Sequence, residues 1–235
     1  MAQRKWFDIQ AKGKTAEIYI YDQIGIGWDG QGVSAVSFMD ALAKAGDVDA
    51  IDLFINSPGG DVFDGTAIYN QLARHKAHVV VHIDGIAASI ASIVAMAGDT
   101  IKIADNGMMM VHNPWVMTAG NAAELRKQAD VLDQVATTMV GTYVARTKQT
   151  PEYVAMLMAA ESWLTSDDAV AAGFADAKTD AVKMAANYDL SRFKNVPKQL
   201  LSATGNTPPP EKALSLEDRI ANQFLFLQQL RERRK

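Results

Sequence analysis

The chain has 235 residues, 49% hydrophobic and 21% charged, and its 23 basic and 27 acidic side chains leave a net charge of −4. That is an ordinary globular composition with no basic excess to mark a nucleic-acid footprint. Cysteine is absent, which excludes thiolate catalysis, cysteine-ligated zinc, iron–sulfur clusters and a disulfide scaffold. A chain of this size buries roughly 70–75% of its unfolded surface and needs no covalent or metal staple. The N-terminus, Met1 to Asp8, carries basic residues with no apolar run behind them, so no secretory signal is read there. The longest apolar stretch, Ile86 to Gly98, is broken by Ser89 and Ser92 and falls short of the about 20 residues a membrane span needs. A soluble protein is expected, and the lack of cysteine suits a reducing cytosol.

Along the chain, strand and helix patterns alternate. Thr15–Tyr21 has the two-residue period of a half-buried strand, and Val33–Ala45 carries Val36, Met39, Leu42 and Ala43 at helical spacing. Ala50–Asn56 is β-favouring and stops at the turn Ser57-Pro58-Gly59-Gly60, after which Val62–His75 reads as a helix. His78–Ile83 is a strand, followed by Gly85-Ile86-Ala87-Ala88-Ser89 and a helix of small residues from Ile90 to Ala97. Thr100–Ala104 and Met108–His112 are two further short strands. Strand, turn and helix with short connections predict parallel βαβ units.

After Pro114 the pattern becomes helical. Asn121–Arg146 is one long helix with Leu125, Leu132, Val135, Met139, Val140 and Tyr143 on its apolar side, and Pro151–Ala159 and Ser166–Ala172 follow. Thr165 or Ser166 is expected to cap the last of these, with Asp167 and Asp168 in its first turn, and Gly173 to stop it. Ser202–Pro210 reads as a proline-rich linker, and 211–235 as a C-terminal amphipathic helix with Ile220, Phe224, Leu227 and Leu230 in its stripe. The domain expectation is therefore a body over 1–201, a linker over 202–210 and a tethered helix.

Four histidines are present. His75, His78 and His82 read as structural, whereas His112 ends an apolar strand, where parallel α/β sheets put their sites. Ser89 has two readings. It caps the helix that follows, or it is a nucleophile at a strand-to-helix turn, where the helix N-terminus favours negative charge and small neighbours admit a substrate. Gly59-Gly60 is likewise either a tight turn or a concavity of backbone N–H groups fit for an oxyanion. The three elements together are worth more than each alone, because a serine needs a base and the base needs a group to orient it.

Ile55-Asn56-Ser57-Pro58-Gly59-Gly60, Gly85-Ile86-Ala87-Ala88-Ser89 and Met110-Val111-His112-Asn113-Pro114 resemble the three signature segments of the ClpP-type serine peptidases. The resemblance runs in unbroken order from about residue 15 to 178, through Trp163-Leu164-Thr165 and Gly173-Phe174-Ala175-Asp176. The wording of Gly59–Gly65 and Glu161–Thr165 looks most like the tailed-phage and prophage branch, whose members are thought to be head maturation (prohead) proteases. The resemblance implies an α/β fold, the ClpP/crotonase-like spiral of ββα units with a protruding long helix. It makes Ser89 the nucleophile and His112 the general base, with Glu161 as the third triad member and Asp167 and Asp168 as fallbacks. It assigns the oxyanion donors to Gly60 and Ile90, and substrate binding to Gly59, Asp61 and Val62. It implies no cofactor or metal, protein or peptide substrates, a homo-oligomeric ring, capsid or scaffold partners, and a place in the host cytoplasm or within proheads. Nucleic acid and membrane are not expected partners.

Two departures from the family pattern stand out: Ala160-Glu161 replaces its Arg-Asp pair, and no axial loop for an unfoldase is evident ahead of Thr15. The competing readings are an inactive ring-forming assembly factor and a crotonase-like acyl-CoA enzyme. The paired serine and histidine argue against the second. A signal-peptide-peptidase reading would need a lysine base and a membrane anchor.

Overall fold

The computed structural model describes residues 7–26, 32–182, 190, 192–197 and 200. The linker and C-terminal helix expected over 202–235 lie outside them. The described residues form one eight-stranded sheet and six helices. Strands β1 (Phe7–Lys12) and β2 (Thr15–Ile20) make an antiparallel hairpin. Parallel to β2 run β3 (Ala50–Ser57), β4 (His78–Ala88) and β5 (Thr100–Ala104), and β8 (Ala177–Thr179) closes the edge beside β5. The architecture is mixed α/β around a mainly parallel sheet, as the sequence predicts.

One face of the sheet is the core. Ile18 and Ile20, Leu53 and Ile55, Val81 and Ile83, and Ile101 and Ile103 alternate inward and are fully or almost fully buried. They meet Phe38 of α1 (Ala35–Ala45), Ile68 and Leu72 of α2 (Val62–Ala73), and Ile90 and Val94 of α3 (Ile90–Ala95) in a single cluster. Each such side chain contributes about 1.5–3 kcal/mol when taken out of water. On the opposite face Tyr19, Phe54 and His82 stack at centroid separations of 4.7 and 4.6 Å. His82 Nε2 lies 2.9 Å from Asp52, His78 Nδ1 lies 3.4 Å from Asp99, and His75 Nδ1 accepts from the Ala77 N–H. All three histidines have local structural partners.

The sequence reading ends a strand at Ile83. In the structure β4 continues through Gly85 to Ala88 and changes neighbour on the way. Val80–Ile83 pair with β5, whereas Ile86–Ala88 pair with β6 (Met108–Val111). Its other neighbour, β3, slips register between Ile55 and Ser57, and the buried Asn56 fills the slip by accepting the Ile86 N–H at 3.1 Å. Gly85 is required there, because a Cβ would stand 2.5 Å from Asn56 Oδ1. On its far side β6 pairs antiparallel with β7 (Ser162–Thr165).

Helix α4 (Ala122–Thr147) begins at a capping box between Asn121 and Glu124. Only Met139, Tyr143 and Thr147 of its 26 residues are buried, so its N-terminal half stands away from the body. Helices α5 (Pro151–Ala159) and α6 (Ser166–Ala171) follow, the latter capped by Thr165 and followed by Gly173 at φ 79°.

Helices α2 and α3 meet at Gly65, where a Cβ would come 2.3 Å from Ile90 Cγ1. Gly65→Ala should therefore destabilise the protein by about 1–3 kcal/mol through overpacking. A lowered urea midpoint with an unchanged m-value is the expected result.

Candidate active site

Ser89 stands between the end of β4 and the first turn of α3, at φ 56° and ψ −129°. This backbone is costly for any residue but glycine, on the order of 1–3 kcal/mol. The Ser89 side chain makes no capping hydrogen bond. Instead its Oγ lies 2.7 Å from Nε2 of His112. The two readings of Ser89 are thus separated by geometry: the hydroxyl is turned away from the helix and onto the imidazole.

The strand register makes the meeting possible. Ala88 pairs with Met110, and the Ser89 N–H donates to the Met110 carbonyl at 2.9 Å. The chain leaving β6 then brings His112 alongside Ser89. His112 is 8% exposed, and burial, aided by the Arg192 charge, lowers its pKa from 6.5 to about 4. The ring is therefore neutral at pH 7, and the Ser89 hydroxyl donates to Nε2. This is the relation in which an imidazole can take a hydroxyl proton as attack begins.

The Gly59-Gly60 turn lies directly against this pair. Ser57 Oγ pins it by donating to the Asp22 carbonyl at 2.5 Å. A Cβ on Gly59 would meet Ser89 Cβ at 2.7 Å and the Ala88 carbonyl at 2.6 Å, so only glycine permits the approach. Gly60 forms a parallel bridge with Ile24, in which Ile24 N–H donates to Gly59 and Asp61 N–H to Ile24. In such a bridge Gly60's own N–H and carbonyl face away from Ile24, and Gly60 lines a pocket with Val62, Ser89, His112, Gln23 and Arg192.

The structure brings Ser89, His112, Gly59, Gly60, Val62 and Ile90 together. Asp61 is nearby but acts as the N-cap of α2, accepting the Phe63 and Asp64 N–H groups at 2.9 Å. Glu161 is not joined to His112 by a hydrogen bond. At φ 48° it turns the chain between α5 and β7, and its Oε1 accepts the Asn195 N–H at 2.6 Å. Asp168 is taken by Thr165, and Asp167 pairs with Lys178 at 2.7 Å. Among the described residues no carboxylate orients Nδ1 of His112.

Sequence reasoning missed the segment that covers the histidine. Arg192 donates to the Pro58 carbonyl at 2.8 Å, and its guanidinium lies 4.9 Å above the Phe193 ring. Phe193 sets its ring edge-on to His112 at 5.5 Å and to Trp163 at 5.8 Å. Asn195 anchors the segment to Glu161 and to the Ala160 carbonyl. No local motif distinguishes this stretch in the sequence, since its role comes from long-range packing.

A serine hydroxyl held by a buried neutral imidazole, beside backbone N–H groups of a glycine turn and a helix start, is the equipment of a serine-nucleophile acyl-transfer enzyme. The Clp protease family model matches residues 2–180 of the chain. The chain is 30% identical over 135 residues to the ATP-dependent Clp protease proteolytic subunit of Deinococcus radiodurans, covering 57% of this chain and 66% of that relative. It is 32% identical over 151 residues to proteolytic subunit 3 of Rhodococcus jostii, covering 63% and 74%. It is 25% identical over 175 residues to the Bigelowiella natans subunit, covering 73% and 88%. The chain belongs to the Clp protease family, a family of serine-type endopeptidases. The segment at Arg192–Asn195 lies beyond the matched residues. Among the described residues, no helix is long and apolar enough to cross a membrane.

With His112 at about 4, the second-order rate of serine modification by a fluorophosphonate should stay flat from pH 8 to 5 and halve near pH 4. The sign follows from the base, which works only unprotonated. A half-point near 6.5 to 7, the ordinary imidazole range, would mean that burial does not depress His112 in solution.

Proposed function

We propose that this chain hydrolyses peptide bonds through an acyl-enzyme on Ser89. His112 takes the hydroxyl proton and then returns it to the leaving amine. The N–H groups of Gly60 and Ile90 receive the oxyanion, each contributing on the order of 3 kcal/mol to lowering the barrier. The substrate lies extended along Gly59–Val62 as an added strand, using the outward-facing backbone of Gly60. The observation that carries this reading is the 2.7 Å contact between Ser89 Oγ and His112 Nε2, made by a serine that caps nothing.

Glu161 contributes through the Asn195 anchor, which keeps Phe193 against the imidazole, so Ser89 and His112 act as a dyad. The protein works as a ring. What supports assembly is the exposed apolar surface of Trp115, Val116 and Met117 and of Leu125 and Val131 on α4. The substrates are capsid or scaffold proteins cut during phage head maturation, a reading supported by the wording of Gly59–Gly65 and Glu161–Thr165.

Intact mass after fluorophosphonate treatment tests the chemistry. One adduct is expected on the wild type and none on Ser89→Ala or His112→Ala. Glu161→Gln keeps an acceptor for Asn195 and should label within about 3-fold of the wild-type rate, whereas a dominant triad carboxylate is worth about 10⁴-fold. Sedimentation as an apparent monomer would remove the ring. Failure of the untreated, probe-reactive wild type to cut any co-produced capsid or scaffold protein would remove the head-maturation role.

A further inference from the structure

Behind the nucleophile lies a buried polar chain that the reaction above does not use. Tyr143 of α4 and Ser92 of α3 are both fully buried, with 2.8 Å between their hydroxyl oxygens. Ser92 Oγ is in turn 2.6 Å from the carbonyl oxygen of Ser89, which also accepts the Ser92 N–H at 3.0 Å. The direction of these bonds is determined by chemistry. A carbonyl only accepts, so Ser92 donates its hydroxyl proton to Ser89 and leaves its lone pairs for Tyr143, whose phenol must donate. Burial favours the protonated phenol, raising its pKa. The chain runs from Tyr143 O–H to Ser92 O–H to the Ser89 carbonyl.

That carbonyl has a partner on its other side. In a trans peptide the C=O of one residue and the N–H of the next point in opposite directions within one rigid plane, and no cis bond occurs among the described residues. Whatever holds the Ser89 carbonyl therefore aims the Ile90 N–H. Ser89 sits at φ 56° and ψ −129°, a conformation that a serine keeps only when its surroundings impose it. Two donors on one carbonyl oxygen, one of them backed by a phenol from another helix, supply that constraint.

We infer that Tyr143 and Ser92 are positioning residues that aim the Ile90 N–H at the developing oxyanion and hold the Ser89 backbone in its reactive conformation. The inference rests on Ser89 being the nucleophile. Because an oxyanion exists only on the way to the tetrahedral intermediate, the relay acts on the chemical step and leaves ground-state binding alone.

Full-length Tyr143→Phe, Ser92→Ala and the double variant test it, each compared with wild type and Ser89→Ala. With a fluorophosphonate and a peptide ester, each single variant should lower kinact and kcat about 10-fold, as a small misplacement of reacting groups does. KI and KM should stay within about 2-fold of wild type, and the pH onset of reaction should not move. The double variant should be no slower than Ser92→Ala, since Tyr143 acts only through Ser92. A structural role alone would lower the melting temperature without this split or this non-additivity. Unchanged kinact in a folded Tyr143→Phe, or multiplicative losses in the double variant, overturns the inference while Ser89 stands. If Tyr143→Phe does not fold, Ser92→Ala carries the same test, and an unchanged kinact there overturns it equally. A wild type that never labels removes the nucleophile and the relay together.

Discussion

The site depends on β4 changing its neighbour. Over Val80–Ile83 it is flanked by β3 and β5, and over Ile86–Ala88 by β3 and β6. A strand that kept β5 to its end would bring Ser89 beside the chain that follows Ala104 and leave it without a base. The switch needs room at Gly85, a bulge in β3 and a polar side chain to satisfy the displaced ladder, and Asn56 supplies the last of these. A buried amide costs free energy unless bonded, and the bulge exposes an N–H that Asn56 Oδ1 accepts. The two irregularities compensate each other, and their joint product is a serine two strand-ends away from a histidine in sequence but in contact with it.

A second constraint is closeness. Gly59 lies on Ser89, Gly65 lies on Ile90, and Ala87, Ala88 and Ala91 are fully buried around the elbow. Side chains of ordinary size would hold the glycine turn away from the helix start and separate the two N–H groups proposed to receive the oxyanion. The small residues thus serve the chemistry through backbone approach. Sequence alone shows them as weak strand and helix formers, which is why Gly85–Ala88 is assigned to neither strand nor helix there while the structure has it as the end of β4.

The elements legible from sequence are those whose own composition and period decide them: β2 and β3, the first half of β4, β5 and β6, and helices α1 to α6. Ser89, His112 and the glycine turn were also legible, because each sits at a strand end beside residues that restrict the backbone. What escaped depends on partners distant in the chain. Among the described residues β1 is paired only with β2 and β7 only with β6, and β8 has three residues on the edge of the sheet. Glu161 matches the family's acid position by order, yet its carboxylate meets Asn195, a residue no local pattern could have offered. Ser92 and Tyr143 were hidden for the same reason: a serine in a helix of small residues and a tyrosine in an apolar stripe each look like packing until the two hydroxyls are seen together.

The environment of His112 decides where catalytic power must come from. Burial keeps the imidazole neutral and ready to accept, but at about 4 it is a weaker base than the free side chain at 6.5. Each unit of pKa is worth about 1.4 kcal/mol, so the proton transfer from Ser89 begins with a handicap on the order of 3 kcal/mol relative to an unperturbed histidine. That matches what one oxyanion donor supplies. Under the proposed mechanism the two backbone N–H groups offset that weakness, and any loosening of the Ser89–Ile90 peptide falls directly on the barrier. On that reading the rate depends more on rigidity of the elbow than on basicity of the histidine. Binding of α4 at Tyr143 ties that rigidity to the helix whose N-terminal half projects from the body.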